Sequence, residues 1–299
     1  MLLNINKRHM SLIFLTIAIL FLLAGLLVLL NHFSVFNRLG ARPDTNRVRI
    51  PILMYHHFAD EGAPGTTISA EAFEGQIKAL HDSGYTAVSF DELYDFVCNG
   101  AALPEHSLII TIDDGYGSVY DTAYPILKKY DMKATVFIIG VSHGKTVYKD
   151  TSYPIIPRFD DAEALEMVKS GVISIQSHSY DMHQYEPYET GSYRVGVMQM
   201  EGESDDEYIK AFTEDYQQAA HQIQEISDNY PFVYSYPFGK YNELCENLLK
   251  DMGVKVTLTI VEGINTVVRD SPDCLYGLKR YNVPGDMTPE KLLDKISHQ

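Results

Sequence analysis

From Ile50 to the C-terminus, short apolar runs alternate with amphipathic helical patterns, and that alternation leaves few architectures open. The strand-like runs cover 50–55, 86–88, 108–112, 134–139, 172–176, 232–236, 255–260 and 277–283. Helical patterns cover 70–83, 90–98, 119–130, 161–170, 207–228, 241–252 and 289–297; in the first, Phe73, Ile77 and Leu80 share one stripe. Seven or eight such units in roughly 250 residues predict an α/β fold, a distorted (β/α)7–8 barrel. A doubly wound open sheet is the competing architecture. No Gly-x-Gly-x-x-Gly or Gly-x-x-x-x-Gly-Lys follows a strand, so nucleotide binding is not expected.

The N-terminus reads differently. Lys7 and Arg8 precede a stretch from Leu12 to Leu30 with no charged residue, long enough to cross a bilayer core. A buried core helix would carry polar residues at helical spacing, and a cleaved signal would have a shorter apolar region and a small-x-small site. The expected organisation is a cytoplasmic tail (1–10), a single-pass transmembrane anchor (11–31), a linker (32–48) and a soluble domain (49–299) outside the cytoplasm. Arg38 and Arg42 reduce the charge asymmetry on which that orientation rests.

With 45% hydrophobic residues the chain can bury a substantial core, and its formal charge of -16 argues against nucleic acid as a partner. Cys98, Cys245 and Cys274 are too few and too dispersed for a disulfide framework or a thiolate zinc site, although one bridge is open to them.

In a (β/α) barrel, reactive residues come from the C-terminal ends of different strands. Asp113 and Asp114 qualify, in Thr111-Ile112-Asp113-Asp114-Gly115-Tyr116. Successive strand side chains point to opposite faces, so both can serve one site only if the chain is already turning, as Gly115 permits. His178 and His183 follow the fifth strand, His56 and His57 the first, and Tyr236-Pro237-Phe238-Gly239 the sixth. Two histidines five apart would diverge on an α-helix, so the pair requires a curved loop. With one carboxylate they make a two-His-one-carboxylate set suited to Zn²⁺ or another divalent transition metal. The irregular stretch 184–206 carries Tyr185, Tyr188, Tyr193, Glu201, Glu203, Asp205 and Asp206; its acidic part reads as solvated surface.

On these residues the chain resembles the polysaccharide deacetylases of carbohydrate esterase family four, the nodulation-type deacetylase domain, from about Ile50 onward. The Thr-x-Asp-Asp-Gly signature matches Thr111 to Gly115. The resemblance implies that Asp113 is the general base and that Asp114, His178 and His183 bind the metal, Zn²⁺ first, with Co²⁺, Ni²⁺ or Fe²⁺ as substitutes. The His-Ser-x-x-x-His spacing, one residue longer than usual, and the opening Pro51-Ile52-Leu53-Met54-Tyr55-His56 are similar to the branch acting on poly-β-1,6-N-acetylglucosamine.

There are two departures from the family pattern. Ser235 stands near the place of the third-motif arginine, and the C-terminal Leu-x-His is missing, His298 being almost terminal. In the poly-N-acetylglucosamine branch the first-strand histidine is the general acid, a role that falls on His56, or on His57 if the register differs. Arg280 resembles the late-strand arginine that pairs with the base, the alternative being an ordinary surface or core-rim arginine. The implied reaction is hydrolysis of N-acetyl groups on an N-acetylglucosamine polymer. A metal-bound water of lowered pKa attacks, a backbone N–H near Phe238 meets the oxyanion, and imidazole protonates the departing amine. Tyr236, Phe238, Tyr116 and Tyr185 are candidate surfaces for sugar rings. Competing readings are a peptidoglycan or chitooligosaccharide deacetylase, a glycoside hydrolase, and a non-catalytic polysaccharide-binding relative.

Overall fold

The computed structural model describes residues 46–189 and 191–297, so the expected tail, anchor and nearly all of the linker lie outside the described residues, as does His298. Among the described residues, no helix is long and apolar enough to cross a membrane. The compact unit begins at Arg47, two residues before the expected boundary.

The strands are β1 (Arg47–Ile50), β2 (Ile52–Tyr55), β3 (His57–Phe58), β4 (Thr67–Ile68), β5 (Thr86–Ala87), β6 (Ser107–Asp114), β7 (Ala134–Ile138), β8 (Ile173–Ser177), β9 (Val233–Ser235), β10 (Val256–Leu258), β11 (Asn265–Val268) and β12 (Tyr281–Asn282). Between and after them run α1 (Ala70–Asp82), α2 (Phe90–Cys98), α3 (Tyr124–Lys129), α4 (Asp161–Lys169), α5 (Asp205–Ser227), α6 (Glu243–Asp251) and α7 (Pro289–Ser297). One parallel sheet curls through the order β10-β9-β8-β7-β6-β2-β12, and β5 adds to the start of β6. This is a curled half-barrel with helices outside, consistent with a distorted (β/α) barrel.

Strand β6 is the axis of this sheet. All eight of its residues are buried, as a parallel strand covered on both faces requires. Leu108, Ile110 and Ile112 belong to the apolar layer shared with α1, α3 and α4. Ile109 joins Phe137, Val233, Val256 and Leu258 in a second cluster on the concave side. The alternation carries Asp113 to the same side as Ile109 and Thr111.

Local chemistry explains where the elements depart from the sequence reading. Helix α5 begins at Asp205 rather than 207, because Ser204 caps it and Asp205, Asp206 and Glu207 fill a first turn that favours carboxylates. Pro125 has no N–H to donate, and the expected helix 119–130 starts with a wider turn in which Tyr124 N–H bonds the Val119 carbonyl. The acidic loop is only partly solvated surface. Arg194 is buried and forms a two-pronged ion pair with Glu203 that ties the loop onto itself.

The largest correction concerns 277–283, expected as a full strand. Only Tyr281–Asn282 pairs as a strand, with β2, while Leu278 makes a single parallel bridge to Leu258 of β10. Between them the Asn265 side chain substitutes for a neighbouring strand, accepting from Lys279 N–H and donating to its carbonyl, both at 2.9 Å. Losing that amide leaves both groups of Lys279 unpaired one residue before Arg280. Asn265→Ala is expected to lower stability by about 2–3 kcal/mol in chemical unfolding, with an undiminished midpoint arguing against the role.

Candidate active site

The C-terminal ends of β2, β6, β8 and β9 meet at a cleft of about 590 Å³ lined by His56, Asp113, Asp114, His178, His183 and Phe238, among others. At the end of β6 the backbone turns left-handed, with φ 73° at Asp114 and 69° at Gly115. By strand parity Asp114 would face outward; the turn brings its carboxylate beside that of Asp113.

Asp113 is 2% exposed and Arg280 0%. The guanidinium forks onto the carboxylate, Nη1 to Oδ1 at 2.7 Å and Nη2 to Oδ2 at 2.8 Å. Nη2 also donates to Ser235 Oγ at 2.9 Å, and Nε to the Thr259 carbonyl at 2.9 Å. Burial alone would raise the Asp113 carboxyl; Arg280, followed by His178, outweighs it and holds it below the usual carboxylate range. Arg280 is therefore no rim arginine, and Ser235 Oγ sits beside the pair, 3.4 Å from Asp113 Oδ2.

Asp114 is also held below that range, burial being overcome by His183, His56 and Arg158. Its Oδ1 is buried without a hydrogen-bond partner, yet it sits 3.7 Å from Nε2 of both His178 and His183. His178 Nδ1 donates to the Ser235 carbonyl at 2.7 Å, which leaves the Nε2 lone pair facing Asp114. Burial lowers the pKa of His178 and pushes that of His183 down to about 4, so both rings are neutral at pH 7, as ligation demands. One ligand atom from each of Asp114, His178 and His183 lies within 4.8 Å of the others. An orphaned carboxylate oxygen, two neutral imidazoles and one fixed tautomer fit a divalent transition metal.

His56 lines the same cleft. His57 does not line it, and its Nδ1 lies 2.8 Å from Ser118 Oγ.

The aromatic expectations are partly corrected. Tyr236 lines the cleft, but it is 0% exposed and its ring stacks on Tyr241 at 4.5 Å, so the ring offers no open face to a sugar. Tyr116 is occupied by Arg158, 3.8 Å from the ring centroid, and by His57 at 4.9 Å; burial first, then Asp114, raises its phenol. Phe238 stands 4.2 Å from the His183 ring, and Tyr185 is half-buried beside both. The loop Pro237–Gly239 turns with positive φ at Phe238 (56°) and Gly239 (64°). A Cβ at Gly239 would meet Ile260 Cγ1 at 2.4 Å, so glycine is required there.

Sequence reasoning missed Arg158, whose Nη1 donates to the Asp114 carbonyl at 2.9 Å, and Asp215, which grips the loop between the two histidines. Arg158 lies in no motif, and Asp215 sits inside a helix, so no local signal marks either.

Comparison with known proteins identifies the family. The polysaccharide deacetylase family model matches residues 100–257. A polysaccharide deacetylase of Bacillus subtilis (strain 168), YxkH, is 30% identical over 240 residues, 80% of this chain and 73% of that one. The chain belongs to the polysaccharide deacetylase family, and its class is that of a carbohydrate N-deacetylase. A poly-β-1,6-N-acetyl-D-glucosamine N-deacetylase of Staphylococcus aureus (strain MRSA252) is 32% identical over 117 residues, covering 39% of this chain and 38% of that one. Among solved structures, Streptococcus pyogenes deacetylase PplD in complex with acetate superposes with a TM-score of 0.65 at 25% identity, over 84% of this chain and 99% of that one. A de-N-acetylase from Aggregatibacter actinomycetemcomitans shares the fold, with a TM-score of 0.70 at 23% identity over 83% and 100% of the two chains.

Removing one member of the buried pair strands the other's charge. Arg280→Met is expected to cost about 3–5 kcal/mol of stability in guanidinium unfolding. Arg280→Lys, which restores charge without the fork, should fall between it and the parent. Equal stability of all three would contradict the pairing.

Proposed function

We propose that this chain hydrolyses N-acetyl groups from an N-acetylglucosamine-containing extracellular or cell-wall polysaccharide in a metal-dependent reaction. The observation that carries this reading is the meeting of Asp114, His178 and His183 within 4.8 Å beside an arginine-paired Asp113. Poly-β-1,6-N-acetylglucosamine is the first-choice polymer, supported by the opening sequence, the His178–His183 spacing and the named activity of the staphylococcal relative. Peptidoglycan and chitooligosaccharides are the alternatives within the class.

A divalent cation held by Asp114, His178 and His183, Zn²⁺ in our reading with Co²⁺, Ni²⁺ or Fe²⁺ as substitutes, would supply Lewis acidity toward the acetyl carbonyl and acidify a water. Asp113, kept ionised by Arg280, takes a proton from the attacking water. The fork on both carboxylate oxygens prevents Asp113 from swinging away. The backbone N–H of Phe238 is our choice for a donor to the developing oxyanion. His56, on the cleft wall, gives a proton to the amine as the C–N bond breaks, releasing acetate and a free amino sugar. Phe238 and Tyr185 remain as candidate walls for the sugar rings.

A glycoside hydrolase would keep one carboxyl protonated as its acid, whereas both carboxyls here are held below their ordinary range. A non-catalytic relative is disfavoured because Asp113 keeps an arginine partner in Arg280 and His56 lines the cleft beside the three candidate ligands. We further place the catalytic domain outside the cytoplasm, tethered to the cell membrane by the uncharged run 12–30.

The test is acetate release from N-acetylglucosamine oligomers of defined linkage. Chelator should abolish release and added Zn²⁺ restore it, Asp113→Asn should lower kcat by at least ~100-fold, and β-1,6 oligomers should react fastest. Acetate release that survives both chelation and replacement of His178 and His183 would overturn the reading, and shortened oligomers would favour the hydrolase.

A further inference from the structure

The loop from His178 to His183 contains no regular structure, so each of its N–H groups needs a separate partner. His178 N–H bonds the Ile138 carbonyl at 3.0 Å. Ser179 N–H uses Ser177 Oγ, and Met182 N–H uses Ser179 Oγ, both at 3.2 Å. The two middle donors find nothing nearby in sequence. Tyr180 N–H bonds Asp215 Oδ2 at 2.9 Å, and Asp181 N–H bonds Asp215 Oδ1 at 2.7 Å. One carboxylate, reaching in from the middle of α5, therefore holds the crest of the loop with both its oxygens. Ser179 is left-handed, with φ 73°, so the loop doubles back just before this point. On the other side the Ser179 and Tyr180 carbonyls accept from Gly140 and Val141 N–H at 3.0 and 2.9 Å. The crest is clamped between the segment after β7 and a helix more than thirty residues further along the chain.

We propose that Asp215 is a positioning residue that sets metal affinity by holding the five-residue spacing of His178 and His183 in the curve that brings both rings to Asp114. The inference rests on the reading of these histidines as ligands. Asp215 is only 9% exposed, and Arg194 is the one cation among the principal influences on its carboxyl. Its two short bonds to main-chain N–H groups are what make a buried carboxylate tolerable at this position. The longer loop has two more donors than its own serines can satisfy, and Asp215 supplies both acceptors.

The experiment measures Zn²⁺ affinity of the purified chain by competition with a chromophoric chelator, with the Co²⁺ absorption spectrum as a second readout of ligand geometry. Asp215→Asn retains one acceptor and turns an NH₂ toward the other N–H; it is expected to weaken Zn²⁺ binding about 10- to 100-fold and shift the Co²⁺ bands. Asp215→Glu, with both acceptors on a longer arm, should lie between Asn and the parent, and it serves if Asp215→Asn does not fold. Tyr216→Phe, which removes the hydroxyl bonded to the Pro231 carbonyl from the same helix, is the control. It should lower stability without moving affinity or spectrum. Asp215 variants that bind within twofold of the parent with an unchanged spectrum overturn the proposal, as does an equal shift in Tyr216→Phe. Should His183→Ala bind Zn²⁺ as well as the parent, the ligand reading falls and this inference with it.

Discussion

The site depends first on a buried ion pair. Asp113 and Arg280 are both almost wholly removed from water, and neither charge would survive there without the other. The pairing also fixes the carboxylate, because a fork on both oxygens holds it ionised and keeps it from drifting toward the neighbouring imidazoles. Ser235 bridges the two halves of the site: its hydroxyl accepts from Arg280, and its carbonyl accepts from His178. The residue at the end of β9 thereby links the Asp113–Arg280 pair to the tautomer of a candidate ligand.

Around this pair the fold supplies anchors from distant parts of the chain. Asn265 holds the segment before Arg280 where strand pairing gives out, Arg158 ties down the Asp114 carbonyl, and Asp215 holds the loop between the histidines. Each uses a side chain where regular hydrogen bonding ends, which is where a barrel presents its reactive residues. The anchors stand on helices, strands and short turns, so the loops of the cleft inherit the rigidity of the barrel.

Much of this was legible in the residues. The apolar runs and helical stripes located the strands of the main sheet and the seven α-helices among the described residues to within a few residues, because parallel strands buried on both faces read as short apolar runs and helices bury one stripe at their own period. Asp113, Asp114, His178, His183 and His56 stand out because each lies at or just past a strand end, and the structure gathers all five at one cleft. The errors have local causes. The segment 277–283 reads as an apolar strand, yet the Arg280 side chain and the Asn265 amide take over its pairing. Tyr236 reads as an exposed aromatic, but packing on Tyr241 buries it. Glu203 reads as solvated surface until Arg194, nine residues earlier, is seen to meet it.

By itself the sequence determined the class of fold, the strand ends from which chemistry could come, and the residue types able to hold a metal and move a proton. These follow from periodicity and side-chain chemistry, which are properties of neighbouring residues. The tertiary structure decided which groups meet: that Arg280 finds Asp113 across 167 positions, that His56 rather than His57 faces the cleft, and that Asp215 closes the histidine loop. Such meetings depend on strand order, on the left-handed turn at Asp114 and on how the sheet curls, and no local pattern encodes them.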